Sequence, residues 1–311
     1  MKTNIKLIFN KQAMFGEKME ETSYRNKFLK IESIDDKKKL LVFLLKEFHE
    51  VCNDNDLIYN VFGGTLLGTI RHHGMIPWDD DVDITMPRND YEKLIKLVKT
   101  KYKNKFGISC YPDKGCCYPY AKFTLNGTVL EEETKDIYGG LGIYIDVFPV
   151  DGYPEKSFEK KYFRMLKKYR MMRLYASLKC KMKKGVIGKF KWVCRCIASF
   201  ICQIPGVKFY IKREISLARK YDYEKSDVLL CQGAGWNEKG KIEKKIYLDR
   251  RLYNFDGIQV WGIKNYHEHL KNLYGDYMTM PPENERVSNH EYTLYVEKSI
   301  ADKILKGESF I

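Results

Sequence analysis

No stretch of the chain approaches the roughly 18 consecutive apolar residues that a membrane-spanning helix requires, and its first residues are basic and polar rather than apolar. An integral membrane protein and a secretory signal are therefore not expected. The nine cysteines are odd in number and contain no CxxC pair. That argues against a disulfide-stapled scaffold and points to a reducing cytoplasm, with peripheral attachment to the inner face of the cell membrane as an extension of that reading. No HExxH or Cys/His spacing supports a zinc site at His72 and His73, which read as surface histidines. Internal repeats and low-complexity tracts are absent too. One further absence is local: from Lys160 through Arg213 there is no Asp or Glu.

What is present is enough for a folded core, with 44% hydrophobic residues in a chain of 311, which suits one elaborated domain or two. The net charge of +14 favours polyanionic partners, and virtually all of it lies in the acid-free stretch. Within that stretch Trp192-Val193-Cys194, Ile197, Phe200-Ile201 and Ile204 make an apolar segment too short to span a bilayer. A basic, aromatic, amphipathic segment fits an anionic membrane surface. The alternatives are a core helix with a solvated basic face and nucleic-acid binding. The last is disfavoured because no recognisable module accompanies the charge.

The most informative stretch is GGTLLGTIRHHGMIPWDDDVDI, residues 63–84. Four aspartates fall within five positions, Asp79 to Asp83, and such a cluster repels itself. At about 4 Å a like-charge pair costs roughly 1 kcal/mol in water and roughly 4 kcal/mol near a protein surface, so a compact carboxylate group usually has a cation to hold. On a strand, Asp81 and Asp83 project to one face while Val82 and Ile84 face the core. Upstream, Gly63 and Gly64 precede a short helix from Thr65 to His72, a placement that lets backbone N–H groups approach a phosphate. Downstream, Asp146 sits alone in the apolar strand Gly142 to Pro149. A buried carboxylate there must be protonated, hydrogen-bonded, or directed at the same cation as Asp81 and Asp83.

Around these motifs the periodicity predicts an amphipathic helix capped at Asp35 and carrying Leu40, Leu41, Leu44, Leu45, Phe48, Val51 and Cys52. It predicts a strand over 57–62, a helix from Asn89 or Asp90 to Tyr102, and strands over 108–111, 118–125 and 129–133, with Asn126-Gly127 as a turn. A last helix over 263–274 should end at Gly275.

The glycine pair, the alternating Asp81 and Asp83 and the later Asp146 resemble the nucleotidyltransferase superfamily. GGTLLGTIRHHGMIPWDDDVDITMPRNDYEKL, YIDVFPVDG and LYGDYMTMPPENERVSNH resemble, more narrowly, the LicD family of phosphocholine transferases, related to fukutin-type phosphosugar transferases. The resemblance covers residues 40–151 well and 263–290 more thinly. It implies an α/β (α+β) fold with a nucleotidyltransferase-like mixed sheet core, flanking helices and a basic helical insertion. On this reading residues 1–33 are a leader, 34–151 the catalytic core, 152–223 the insertion, and 224–311 a segment completing the site.

The resemblance further implies transfer of phosphocholine, or a related phospho-alcohol, from CDP-choline or another CDP-alcohol to a hydroxyl of a cell-surface glycan, lipid-linked or not. Asp81, Asp83 and Asp146 are then both catalytic residues and metal ligands, with Mg2+ the expected ion and Mn2+ an alternative. Gly63, Gly64, Thr65, Arg71, Lys122 and Arg286 are candidates for nucleotide or phosphate binding. Trp78 is a candidate for the donor's cationic head group, and His290 for the acceptor. Arg71 alternatively salt-bridges the aspartates, Lys122 faces solvent, and Trp78 packs the loop. A nucleotidyltransferase that transfers the nucleotide itself, and a membrane-associated scaffold without catalysis, are the competing functions.

Overall fold

The computed structural model describes residues 27–132, 141–177, 186–231, 238–287 and 292–305. Phe28–Ile31 form a strand, β1, and Ser33 then caps the helix Ile34–Asn53 (α1) by accepting from the N–H of Asp36. The cap thus lies two residues before the expected Asp35, because Asp35 and Asp36 occupy the first turn, where the helix dipole favours their charge. The apolar stripe of α1 is buried as expected, from Leu40 to Cys52. It packs in one core with Phe123, Ile145, Val147, Ile84 and Met86.

Next come β2 (Asn60–Val61), α2 (Gly63–Arg71), β3 (Asp83–Pro87) and α3 (Arg88–Thr100). The expected strand 57–62 shrinks to two residues because the N–H groups of Leu57 and Ile58 bond to the Cys52 carbonyl and the Asp90 carboxylate instead of to a neighbouring strand. The strands β4 (Phe106–Ser109), β5 (Ala121–Leu125), β6 (Thr128–Glu132) and β7 (Tyr144–Gly152) follow. Gly127 turns at φ +75°, as the Asn126-Gly127 signal requires. The strands it joins nevertheless do not pair, since the N–H of Leu125 bonds to Ile143 and β6 leaves for another sheet.

The main sheet runs β2-β3-β7-β5-β4, and the far half of β7 carries β8 (Val228–Cys231) and then β9 (Lys241–Glu243). Only β3 and β7 pair in parallel there, so the sheet is mixed, as expected. A buried bidentate ion pair closes the end of this parallel pair, with Arg88 donating from Nε and Nη2 to Asp151 at 2.8 and 2.6 Å.

Apart from residues 204–206, the acid-free stretch is helical where it is described, as α4 (Glu159–Ser177), α5 (Val186–Gln203) and the first part of α6 (Val207–Ala218). Positions 178–185, with Lys179, Lys181, Lys183 and Lys184, lie outside the described residues. The first acid after the stretch, Glu214, is buried and supplies its internal counter-charge: Arg173 donates to it from Nε at 2.7 Å and Arg170 stands 3.5 Å away. Arg173 also donates to the Cys117 carbonyl, which fixes the helices to the core.

Beyond β8 and β9, five further elements of the C-terminal part were not legible from periodicity: α7 (Lys244–Leu248), the hairpin strands β10 (Arg250–Phe255) and β11 (Ile258–Ile263), and a strand followed by a helix at the end. The expected helix 263–274 starts only at Tyr266 (α8, Tyr266–Tyr274), since Ile263 ends β11; Gly275 terminates it at φ +71°. The strand Tyr292–Glu297 (β12) pairs with both β1 and β6, and α9 (Lys298–Leu305) follows. Residues 28–31, which read as the end of a leader, are therefore an edge of this second sheet. Among the described residues no helix is long and apolar enough to cross a membrane.

Candidate active site

Strand register assembles the site. Asp83 of β3 is the parallel partner of Asp146 on β7, and Asp146 is the antiparallel partner of Lys122 on β5. Residues opposite one another on neighbouring strands project to the same face, so two carboxylates and one ammonium stand in a row. Lys122 Nζ lies 2.6 Å from Asp146 Oδ1, with the lysine 4% exposed. The lone carboxylate of the sequence thus has a buried partner. The lysine does not face solvent: its ammonium lies over the Tyr144 ring at 3.4 Å and the Tyr118 ring at 4.7 Å. These tyrosines and Tyr120, which stacks on Tyr118 at 4.9 Å, were not singled out from the sequence. The signal was available as the alternating Tyr118, Tyr120 and Lys122 leading into β5, which begins at Ala121.

Asp81 lies two residues before β3, which begins at Asp83, while Val82 and Ile84 are buried as the alternation requires. Burial, then the charge of Asp81 and a hydrogen bond to it, raise the Asp79 carboxyl to about 7. Burial, then Asp81, Asp146 and Asp79, push Asp83 well above the usual carboxylate range, with Lys122 opposing. The four side chains therefore share one electrostatic environment, and it is short of positive charge.

The glycine pair lets these acids reach the N-terminus of α2. A Cβ on Gly64 would stand 2.9 Å from Asp79 Oδ2, and one on Gly63 would stand 3.3 Å from Asp83 Oδ2. Gly63 also has φ +55°, in the left-handed region. Helix N-termini favour negative charge, which offsets part of the mutual repulsion. Thr65 Oγ1 accepts from the N–H of Asp83 at 2.8 Å, so this hydroxyl orients the strand's first residue.

Two distant segments complete the wall. The hairpin turn Asp256-Gly257 clamps the loop that leads to the aspartates: Asp256 Oδ2 accepts from the N–H of Met75, and the Asp256 N–H donates to His73 O, both at 2.8 Å. Asp256-Gly257 is an Asp-Gly hairpin signal legible in the sequence. The end of α8 brings Tyr274 alongside, its hydroxyl pushed up by burial and by Asp83, Asp79 and Asp81. Arg71 makes no ion pair with the aspartates. It donates to the carbonyls of Tyr277, at 2.8 Å, and Thr279, and so ties α2 to this segment. Arg286 lies over the Trp78 ring at 5.6 Å and donates to the Pro281 carbonyl, so Trp78 takes part in loop packing. His290 lies outside the described residues.

The region 57–178 matches the family model described as LicD/FKTN/FKRP, nucleotidyltransferase domain. It contains β3, β5 and β7, the three strands that carry Asp83, Lys122 and Asp146. Residues 57–178 are thus similar to a LicD family domain. The relationship extends beyond that region: the chain is 29% identical over 264 residues to the lipopolysaccharide cholinephosphotransferase LicD of Haemophilus influenzae, covering 81% of this chain and 94% of that one. It is also 31% identical over 138 residues to an uncharacterized protein of Rickettsia prowazekii, covering 44% of this chain and 49% of that one.

The acids of this domain suit a hard divalent ion in their chemistry, being all-oxygen donors with excess negative charge. Among the described residues, however, no three His, Cys, Asp or Glu side chains stand in ion-holding geometry. Lys122 supplies the cation at Asp146 in this arrangement.

Proposed function

We propose that this protein transfers phosphocholine, or a closely related phospho-alcohol, from a CDP-activated donor to a sugar hydroxyl of a glycan. What supports the reading is the row Asp83, Asp146, Lys122 across three adjacent strands, inside a domain whose relative is named a cholinephosphotransferase. Asp81, Asp83 and Asp146 are the residues that would hold a divalent ion, Mg2+ or Mn2+. When bound, such an ion supplies charge neutralisation of the pyrophosphate. Lys122 neutralises Asp146 and presents a buried ammonium to the phosphates. Tyr274 stands beside Gly63 and the aspartates. The acceptor's hydroxyl oxygen attacks the phosphorus distal to the nucleoside, the P–O bond to CMP breaks, and the hydroxyl proton passes to a carboxylate of the cluster.

The family description also names a nucleotidyltransferase domain, which makes transfer of the nucleotide itself the second reading. CDP-choline labelled in either the choline or the cytosine, incubated with the protein, Mg2+ and cell-envelope glycan of the producing organism, separates them. Choline label on the glycan and cytosine label in free CMP is the expected result. Cytosine label on the glycan would establish the second reading, and label on neither would refute the first for this donor.

A further inference from the structure

Helix α5 has two opposed faces. Inward, Ser199 Oγ donates to the Tyr175 carbonyl of α4 at 2.9 Å, and Cys202 packs with Ala176 and Tyr210. Outward, Val193, Ile197, Phe200 and Ile201, with Ile204 in the turn just past the end of α5, recur at i, i+4, i+7, i+8 and i+11, a stripe roughly 100° wide at helical spacing. These residues are 44, 56, 70, 57 and 75% exposed, and Phe209 in the first turn of α6 is 40% exposed. A core helix would show the opposite arrangement. Here the small and polar side chains make the internal contacts and the largest apolar ones face outward.

The charge around the stripe decides what covers it. No acid occurs from Lys160 to Arg213, and Lys160, Lys161, Arg164, Lys167 and Lys168 of α4 and Lys212 and Arg213 of α6 are all exposed. A second copy would bring the same basic surface against itself, and like-charge juxtaposition disfavours that pairing. Nucleic acid would satisfy the charge but offers no apolar phase for isoleucines. An anionic bilayer satisfies both, with acidic headgroups outside and acyl chains beneath.

We propose that this face of α5 docks the protein peripherally on an anionic membrane, with Phe200, Ile201 and Ile204 entering the boundary between headgroups and acyl chains and the basic residues of α4 and α6 meeting the headgroups. The proposal goes beyond the transfer reaction and holds whatever group is moved.

Co-sedimentation of the full chain with vesicles of phosphatidylcholine, with and without phosphatidylglycerol, tests it. Binding should require phosphatidylglycerol and should weaken at about 1 M salt, where the Debye length is about 3 Å. The variant Phe200→Gln/Ile201→Gln/Ile204→Gln, changed only at exposed positions, should bind at least roughly tenfold more weakly, and Lys212→Gln/Arg213→Gln should do likewise on phosphatidylglycerol. Thermal melts by circular dichroism establish that each variant is folded. Wild type that ignores phosphatidylglycerol, or a folded apolar variant that sediments like wild type, overturns the proposal. So does a dimer that the apolar substitutions dissociate, since a second copy would then cover the stripe.

Discussion

Lys122 and Asp146 form a buried ion pair at 2.6 Å, placed side by side by the register of β5 and β7. Removing one partner of such a pair leaves an uncompensated charge, which typically costs about 3–5 kcal/mol. Lys122→Met should therefore lower unfolding free energy by about that amount, and adding Asp146→Asn to it should recover a large part. Urea unfolding of the two single variants and the double variant measures this as a coupling energy. A Lys122→Met protein within about 1 kcal/mol of wild type would show that the pair contributes nothing to stability.

The aspartates separate catalysis from stability. Asp81→Asn removes a charge from a self-repelling cluster and Asp83→Asn replaces a carboxyl whose charged form its surroundings disfavour, so the metal-free variants should melt no lower than wild type while Mg2+-dependent transfer falls at least about a hundredfold. Asp146→Asn should lower transfer roughly 10² to 10⁴-fold. Turnover measured across Mg2+ concentration, alongside melting curves, checks both halves. Near-normal turnover by either of the first two variants refutes the ligand assignment.

At Gly64 a methyl group would meet Asp79 Oδ2 at 2.9 Å. Gly64→Ala should displace that carboxylate, which hydrogen-bonds to Asp81, with little loss of stability, yet lower transfer by about tenfold to a hundredfold through the shift of Asp81. Gly63→Ala should differ, because φ +55° adds about 1–2 kcal/mol of backbone strain to the displacement. A comparison of melting temperature and turnover for the two variants distinguishes them, and equal stability of both would contradict the assignment of strain to Gly63.

His269 provides a pH dependence outside the aspartate cluster. It is buried against Phe62, its Nε2 has no hydrogen-bond partner among the described residues, and burial lowers the imidazole to about 4. Between about pH 4 and its ordinary 6.5 the unfolded chain binds the proton and the native state does not, so stability rises with pH across this window and is lost as pH falls through it. The loss attributable to this group is up to about 3 kcal/mol. His269→Phe should flatten the dependence of unfolding free energy on pH in that window. An unchanged slope would show that His269 is not its source.

Residues near in sequence were sufficient to locate α1, the Asn126-Gly127 turn and the Gly275 stop, because periodicity and turn chemistry act over a few residues. The same locality made Asp79 to Asp83 and the glycine pair legible as a self-repelling acidic group beside a helix start. Pairing across the chain was not legible. That β1 joins β12, that β6 leaves β5 for that second sheet, and that the Asp256 turn clamps the loop ahead of the aspartates depend on contacts between segments whose local patterns do not name their partners. For the same reason Asp146 read as solitary. Its partner Lys122 lies 24 positions earlier and meets it only when β5 and β7 take one register, because a slip of one residue would turn the lysine to the other face. Composition alone determined that the segment from Lys160 to Arg213 is basic and amphipathic. Only the packing of α5 on α4 decided which face carries the apolar stripe, since the small side chains Ser199 and Cys202 allow close approach and leave Phe200 and Ile204 outside.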